Sequence, residues 1–157
     1  MNAETRGSLE HAELTDRIIR VFYDVYNELG PGFLESVYLN AMVIALREVG
    51  LKVRQESPIP VRFRGHTVGD FRADLIVNDR VICELKAAST LESAFEAQLL
   101  NYLRATEVEV GLLFNFGPEP KLKHLVYRNS RKRSATIREN PRPNVSCCAA
   151  SANSGSD

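Results

Sequence analysis

The chain has 157 residues, a hydrophobic fraction of 44% and a charged fraction of 25%, which fit one globular domain with an ordinary core. No run approaches the roughly 18 apolar residues of a membrane-spanning helix, and the first ten residues lack the apolar stretch of a secretory signal. Its three cysteines, Cys83, Cys147 and Cys148, form neither a disulfide framework nor a zinc pattern, so we expect a cytoplasmic protein.

The net charge is zero, but the charges are unevenly distributed. Residues 1–127 hold 14 basic and 18 acidic side chains, a net charge of −4, whereas residues 128–157 hold six basic and two acidic ones, a net charge of +4. An acidic body argues against a broad nucleic-acid footprint. Part of the acidity would be offset if some of the carboxylates bind a metal ion.

Three helices are predicted from apolar residues spaced three and four apart. The first covers Leu14 to Leu29 and ends at Gly30-Pro31-Gly32, because glycine caps helices and proline cannot continue them. The second runs from Phe33 to Val49 and, after so short a loop, should pack against the first. The third covers Leu91 to Thr106.

Strands are predicted where the apolar residues alternate or form short runs between turn residues. They cover Lys52–Glu56, Ile59–Arg64, Val68–Val77, Arg80–Ala87, Val108–Phe116 and Leu122–Tyr127. Ser57-Pro58 is expected to separate the first two strands. Val108–Phe116 is nearly all apolar, which indicates a strand buried on both faces.

The order of these elements predicts one layered α/β domain with a mixed sheet. We place a flexible N-terminus at residues 1–12, the domain at 13–128 and a disordered basic and polar tail at 129–157, where no periodicity remains.

The hairpin around Asn78-Asp79 can be placed in register by its hydrophobic pattern. A two-residue loop, 78–79, would mix polar and apolar side chains on both faces, whereas a three-residue loop, 78–80, makes one face wholly apolar. The residues of that apolar face are Ala73, Leu75, Val77, Val81, Cys83 and Leu85. Because register follows the hydrophobic pattern, we predict the longer loop, which places Asp74 opposite Glu84.

This register brings two carboxylates together beside a lysine. Like charges opposite one another on paired strands are destabilising, and a divalent cation between Asp74 and Glu84 would remove that cost. Two carboxylates with water and phosphate oxygens suit Mg²⁺. Lys86 lies two residues from Glu84 and so projects from the same face. Its amine could deprotonate an attacking water or stabilise developing negative charge.

Three segments of the sequence carry a family resemblance. Asp74, followed after nine residues by Glu84-Leu85-Lys86, resembles the core motif of the PD-(D/E)XK nucleases, with Ala73 in place of the nominal proline. The run Gly32-Phe33-Leu34-Glu35-Ser36-Val37-Tyr38 is similar to the signature of the GxxExxY family, a branch of that superfamily. Gln98 and Tyr102 resemble the Q-x-x-x-Y element of RecB-type nucleases. The resemblance covers about residues 13–128.

The resemblance implies a restriction-endonuclease-like α/β sandwich, with a mixed central sheet flanked by helices. It implies that Asp74, Glu84 and the Leu85 carbonyl bind Mg²⁺ or Mn²⁺, that Glu35 orders a metal-bound water, and that Lys86 acts on the water or the transition state.

The resemblance also implies that Gln98 and Tyr102 position the scissile strand, although both could equally serve helix packing. Glu35 could be a plain first-turn acid that favours the helix dipole. Tyr38 is expected to pack, with its hydroxyl hydrogen-bonded.

Two groups of basic side chains have open roles. Arg62, Arg64 and Arg72 could flank a DNA groove or be ordinary exposed strand residues. The cluster at 128–133 (Arg128, Arg131, Lys132 and Arg133) could hold phosphates or belong to a solvated tail.

The sequence therefore predicts a metal-dependent nuclease, with DNA as the expected substrate ahead of RNA. The alternative is a catalytically silent nuclease-fold protein that binds nucleic acid or assembles with itself. A domain this small presents a narrow active face, so we expect at least a dimer, and no membrane partner.

Overall fold

The computed structural model describes the backbone of residues 3–132 and the side chains of residues 11–132. Its helices are α1 (Ala3–Leu29), α2 (Glu35–Glu48) and α3 (Ser93–Ala105). Its strands are β1 (Val53–Phe63), β2 (His66–Val77), β3 (Val81–Lys86), β4 (Val110–Phe116) and β5 (Pro120–Val126). They form one sheet in the order β1-β2-β3-β4-β5, in which β3 and β4 are parallel and the other neighbours antiparallel.

Two hydrophobic cores cover the two faces of this sheet. Helices α1 and α2 pack on one face, and α3 packs on the other. The apolar stripe predicted for α1 lies in the first core: Leu14, Ile18, Val21, Phe22 and Val25 are buried, and Leu29 is partly buried against them. Phe22 stacks on Phe114 of β4 at 4.5 Å between ring centroids. All seven residues of β4 are buried, which confirms the prediction of a strand covered on both faces.

The predicted break at Ser57-Pro58 is wrong, because β1 runs through both residues. Ser57 pairs with Ala73 and Pro58 with Arg72. β1 is an edge strand, where proline's missing N–H costs no ladder hydrogen bond. The irregularity lies one residue earlier, at Glu56, whose φ is 48°.

The predicted three-residue loop between β2 and β3 is confirmed. Val77 pairs with Val81, Ile76 with Ile82 and Leu75 with Cys83. Asn78 and Asp79 both have positive φ, 50° and 56°, a conformation that asparagine and aspartate tolerate better than most residues.

Both described ends of the chain contain helical residues. Helix α1 begins at Ala3, so residues 3–12, which we predicted to be flexible, are helical. Residues 129–132 form a helical turn, and the rest of the predicted tail, with Arg133, lies outside the described residues. The domain limits at 12 and 128 stay predictions. Over residues 3–132 no helix is long and apolar enough to span a bilayer.

Candidate active site

The site begins where β2 and β3 separate. Their ladder ends at the Leu75–Cys83 pair, one pair before the predicted Asp74–Glu84 pair. Asp74 instead accepts a hydrogen bond through Oδ2 from the backbone N–H of Leu85, at 2.8 Å. The strand separation thus frees the Asp74 carboxylate to reach over β3 rather than face Glu84 in a regular ladder.

Ala73 departs from the predicted apolar face. Leu75, Val77 and Leu85 lie in the core under α1 and α2, whereas Ala73 lies in the core under α3. The change of face coincides with the positive φ of Glu56, the residue between the β1 partners of Leu75 and Ala73. The side chains of β2 therefore change face between Leu75 and Ala73, opposite Glu56.

Glu84 is a buried carboxylate with one unsatisfied oxygen. Only 2% of the residue is exposed. Its Oε1 accepts a hydrogen bond from Lys86 Nζ at 3.1 Å, while Oε2 is buried without a hydrogen-bond partner. Burial, together with the negative charge of Asp74, raises the pKa of Glu84 to about 7, against the opposing effect of Lys86. Such an oxygen is a strong candidate for a cation ligand.

Lys86 is a largely enclosed cation. Its side chain is 15% exposed, and Nζ lies 5.2 Å from the centroid of the Phe95 ring. Burial by itself would lower the pKa of Lys86, but the carboxylates of Glu84, Glu35 and Asp74 outweigh it and raise that pKa. The amine therefore stays protonated near neutral pH. A protonated amine can stabilise negative charge but cannot deprotonate a water molecule.

Two further acids influence Asp74. Burial raises the pKa of Asp74, the Leu85 hydrogen bond and Lys86 oppose this rise, and Glu35 and Glu56 add to it. Glu35 is exposed and opens α2. Its negative charge acts on both Asp74 and Lys86, and its role in ordering a metal-bound water stays a prediction.

Gln98 and Tyr102 form a hydrogen-bonded pair on α3. Gln98 Nε2 donates to the Tyr102 hydroxyl at 2.6 Å. Burial raises the pKa of Tyr102, the Gln98 hydrogen bond lowers it, and the charges of Glu84 and Asp74 raise it further. The charges of the two carboxylates therefore act on this pair across the site, and the roles of Gln98 and Tyr102 stay predictions.

A family model described as the PD-(D/E)XK nuclease superfamily matches residues 12–128. The chain belongs to this superfamily. Its mixed five-stranded sheet with flanking helices confirms the predicted restriction-endonuclease-like fold. The matched range also contains the predicted motif from Asp74 to Lys86.

Comparisons with individual proteins add little to this assignment. A solved structure titled "Crystal structure of SSO0001" is similar, with a TM-score of 0.48 and 17% identity. The alignment covers 72% of this chain and 63% of that chain, so this chain spans less than two thirds of the solved one. No curated protein gives a significant match.

Tyr38, the last residue of the second motif, serves the loop before α2. Its hydroxyl donates to the Gly30 carbonyl at 2.6 Å and accepts from the Phe33 N–H at 3.2 Å. Its ring stacks on Phe116 at 4.3 Å, and the residue is fully buried. The prediction that Tyr38 packs is confirmed, and its hydrogen bonds fix the turn that leads to Glu35.

Asn115 is a positioning residue that sequence reasoning missed. It is 1% exposed and pairs with Lys86 across β3 and β4. Its side chain accepts from the Ala88 N–H and donates to the Ala88 carbonyl, both at 2.9 Å. At Gly117 a Cβ atom would lie 2.3 Å from that same carbonyl. Together they hold the chain just after Lys86, and the signal was a lone amide within an apolar strand.

The site fits the divalent metals that nucleases of this superfamily generally use. The fit rests on Glu84 Oε2, a buried oxygen without a partner, together with the partly buried carboxylate of Asp74. Within the described residues no group of three or more His, Cys, Asp or Glu side chains is arranged to hold a metal. A two-carboxylate site matches Mg²⁺, which is usually bound through one or two carboxylates plus water and substrate phosphate.

Proposed function

We propose that the protein is a metal-dependent nuclease that hydrolyses phosphodiester bonds in DNA. The observation that carries this proposal is the buried Glu84, placed with the partly buried Asp74 beside the Lys86 cation where two strands separate. Burying a carboxylate is costly unless its charge is compensated, and Lys86 contacts only one oxygen of Glu84. A bound cation and a substrate phosphate would complete the compensation.

The chain's residues divide the work of the reaction. Asp74, Glu84 and the Leu85 carbonyl would hold Mg²⁺ or Mn²⁺, and the bound ion would supply Lewis-acid stabilisation and a more acidic water. Lys86 holds a positive charge against the phosphate oxygens.

The remaining predicted residues position water and the substrate and take no direct part in bond cleavage. Glu35, exposed at the start of α2, accepts hydrogen bonds from water at the edge of the site. Gln98 and Tyr102, already joined by a hydrogen bond, place the strand to be cut.

The first test is cleavage of single- and double-stranded DNA with magnesium or manganese. We expect cleavage by the wild type and none by Asp74→Asn/Glu84→Gln, which keeps the shape of the site but removes both charges. Equal cleavage by the double variant would mean that the activity comes from elsewhere or from a contaminant. No cleavage by a folded, metal-binding wild type would contradict the proposal.

That negative outcome would favour the second candidate, a catalytically silent nuclease-fold protein that binds nucleic acid or assembles. The net charge of −4 on residues 1–127 supports it, because nucleic-acid binding surfaces are usually basic. The unpaired Glu84 Oε2 supports the nuclease instead, since a binding protein gains nothing from an unsatisfied buried carboxylate.

We further propose that the protein forms at least a dimer. Four exposed apolar side chains lie on or just before α2: Phe33, Leu34, Val37 and Ile44. Grouped apolar side chains on a surface often mark an interface. Ile44, 60% exposed, is the best single probe. Light scattering should give a dimer or larger for the wild type and a monomer for Ile44→Lys, and a monomeric wild type would refute the proposal.

Two finer assignments are proposals of the same kind. Membership in the GxxExxY branch is supported by the loop from Gly32 to Tyr38, where the motif tyrosine fixes the turn before the motif glutamate. A cytoplasmic location is supported by the free, buried thiol of Cys83. Proteolysis of intact and fractionated cells would test the location.

A further inference from the structure

A cleft separates the β1–β2 hairpin from helix α3. It has a volume of about 630 Å³ and is lined by Val61, Arg62 and Phe71 from the hairpin and by Asn101 and Arg104 from the helix. This volume lies in the range of ligand pockets, about 300–1,000 Å³. None of the nuclease roles proposed above uses these residues.

The charge of the cleft is opposite to that of the body around it. Two arginines line it and no acid does, whereas residues 1–127 carry a net charge of −4. Within residues 11–132 neither Arg62 nor Arg104 forms a salt bridge with an acid. The Arg104 guanidinium lies 5.5 Å from the centroid of the Tyr127 ring, a contact that orients the group without neutralising it. The cleft is therefore complementary to an anion.

An aromatic ring lines the same cleft and links it to the nuclease site. Phe71 is 43% exposed, so part of its ring is open to a ligand. Its centroid lies 5.8 Å from that of Tyr102, whose hydroxyl is bonded to Gln98 and whose pKa is raised by the charges of Glu84 and Asp74. A ligand stacked on Phe71 would thus continue toward Asp74 and Glu84.

The depth of two side chains in the nuclease site favours an unpaired strand over a duplex. Glu84 is 2% and Tyr102 3% exposed, so the scissile phosphate must enter below the surface. A flexible unpaired strand can do so, whereas a continuous duplex keeps its phosphates on the outside of a stiff rod. Open aromatic rings also stack on unpaired bases, which present their faces.

We infer that the cleft between the β1–β2 hairpin and α3 binds an unpaired strand, with a base on Phe71 and phosphates on Arg62 and Arg104. The substrate would then be single-stranded DNA or the unpaired flap of a branched one. This inference rests on the proposed nuclease function and names its substrate class.

The test measures binding and cleavage separately. Binding of a fluorescein-labelled oligonucleotide, single-stranded or in a blunt duplex, is measured with magnesium in the Glu84→Gln background, where hydrolysis should be blocked. We expect tighter binding of the single strand, by about tenfold or more, and a loss of about tenfold in Phe71→Leu, since each stacked base contributes roughly that factor or more.

The contribution of the two arginines is measured by the salt dependence of single-strand binding. Arg62→Gln/Arg104→Gln should weaken single-strand binding and reduce the slope of log affinity against log salt by about 1.4, or about 0.7 for each phosphate contact. Two matched controls, Arg20→Gln and Arg47→Gln, change exposed arginines of α1 and α2, on the opposite face of the sheet from α3, and should leave both values unchanged.

The possible outcomes separate the two proposals. Equal or tighter binding of the duplex, or unaltered binding by the cleft variants, would refute the inference that the cleft binds an unpaired strand. If the wild type cleaves DNA and the cleft variants cleave it equally well, the inference about the cleft is wrong and the proposed nuclease function is supported. If binding depends on Phe71 and the two arginines but the wild type cleaves no DNA, single-strand binding by the cleft is supported and the proposed nuclease function is refuted.

Discussion

Replacing Lys86 with methionine should reduce DNA cleavage about 100- to 1,000-fold, the usual loss when one preorganised charge-stabilising group is removed. Methionine keeps an apolar stem against Phe95 but removes the charge that lies 3.1 Å from Glu84 Oε1. The fold should survive, because Glu84, with a pKa of about 7, can take up a proton when its partner is lost.

The measurement is single-turnover cleavage at saturating metal, with thermal unfolding of the same samples. Lys121→Met is the matched control, since Lys121 is an exposed residue of the edge strand β5 and its loss should change neither quantity. If folded Lys86→Met cleaves DNA at the wild-type rate, Lys86 has no role in the mechanism.

The pH profile distinguishes the two roles first considered for this lysine. If Lys86 were the base, the rate would depend on its neutral fraction, and the raised pKa makes that fraction very small near pH 7. As a fixed cation it should instead give a rate that does not rise with Lys86 deprotonation. If the rate rises with pH in the wild type but not in Lys86→Met, Lys86 acts as the base after all.

The hairpin shows how far a sequence can determine a site. Alternation of apolar residues distinguished a three-residue loop from a two-residue loop, and the structure confirms it through the Leu75–Cys83 and Val77–Val81 pairs. This works because a one-residue slip would expose a whole apolar face. The same pattern could not show that the ladder ends before Asp74, because alternation fixes which face a residue takes and not where two strands part.

Other features depended on contacts that are distant in sequence. Ser57-Pro58 is a common turn signal, but whether it breaks a strand depends on whether that strand is at the sheet edge, which local sequence does not reveal. Glu56 affects Asp74 because the register of β1 and β2 places it between the partners of Leu75 and Ala73, opposite Asp74. The clamp from Asn115 to Ala88 joins residues 27 apart, and only the polar amide within an apolar strand pointed to it.

Glu84→Gln should make the metal-free protein more stable at alkaline pH while abolishing cleavage. The pKa of Glu84 rises on folding from its ordinary value of 4.5 to about 7. Between these two values the folded protein binds more protons than the unfolded chain. The free energy of unfolding therefore falls as pH rises through this window, and the loss is complete above about pH 7. Asp74, whose pKa is also raised, acts in the same direction.

The difference between 4.5 and about 7 corresponds to about 3 kcal/mol, at about 1.4 kcal/mol for each pH unit. Urea unfolding with a chelator present should show wild-type stability declining by up to this amount from pH 4.5 to 8, and a much smaller decline for Glu84→Gln. Glu119→Gln, an exposed change in the loop after β4, should behave as the wild type does. Parallel curves for wild type and Glu84→Gln would mean that the carboxyl is not buried as described.

Metal addition provides the converse measurement at pH 8. A cation that binds only the folded protein stabilises it by mass action, so magnesium or manganese should restore much of the stability that ionised Glu84 costs the wild type. Glu84→Gln lacks that charge and should respond weakly. The same carboxylate would then destabilise the metal-free fold and bind the metal, which is why an oxygen without a partner can persist in a buried site. A wild type that gains no stability from either metal would contradict the metal site itself, whatever the cleavage assays show.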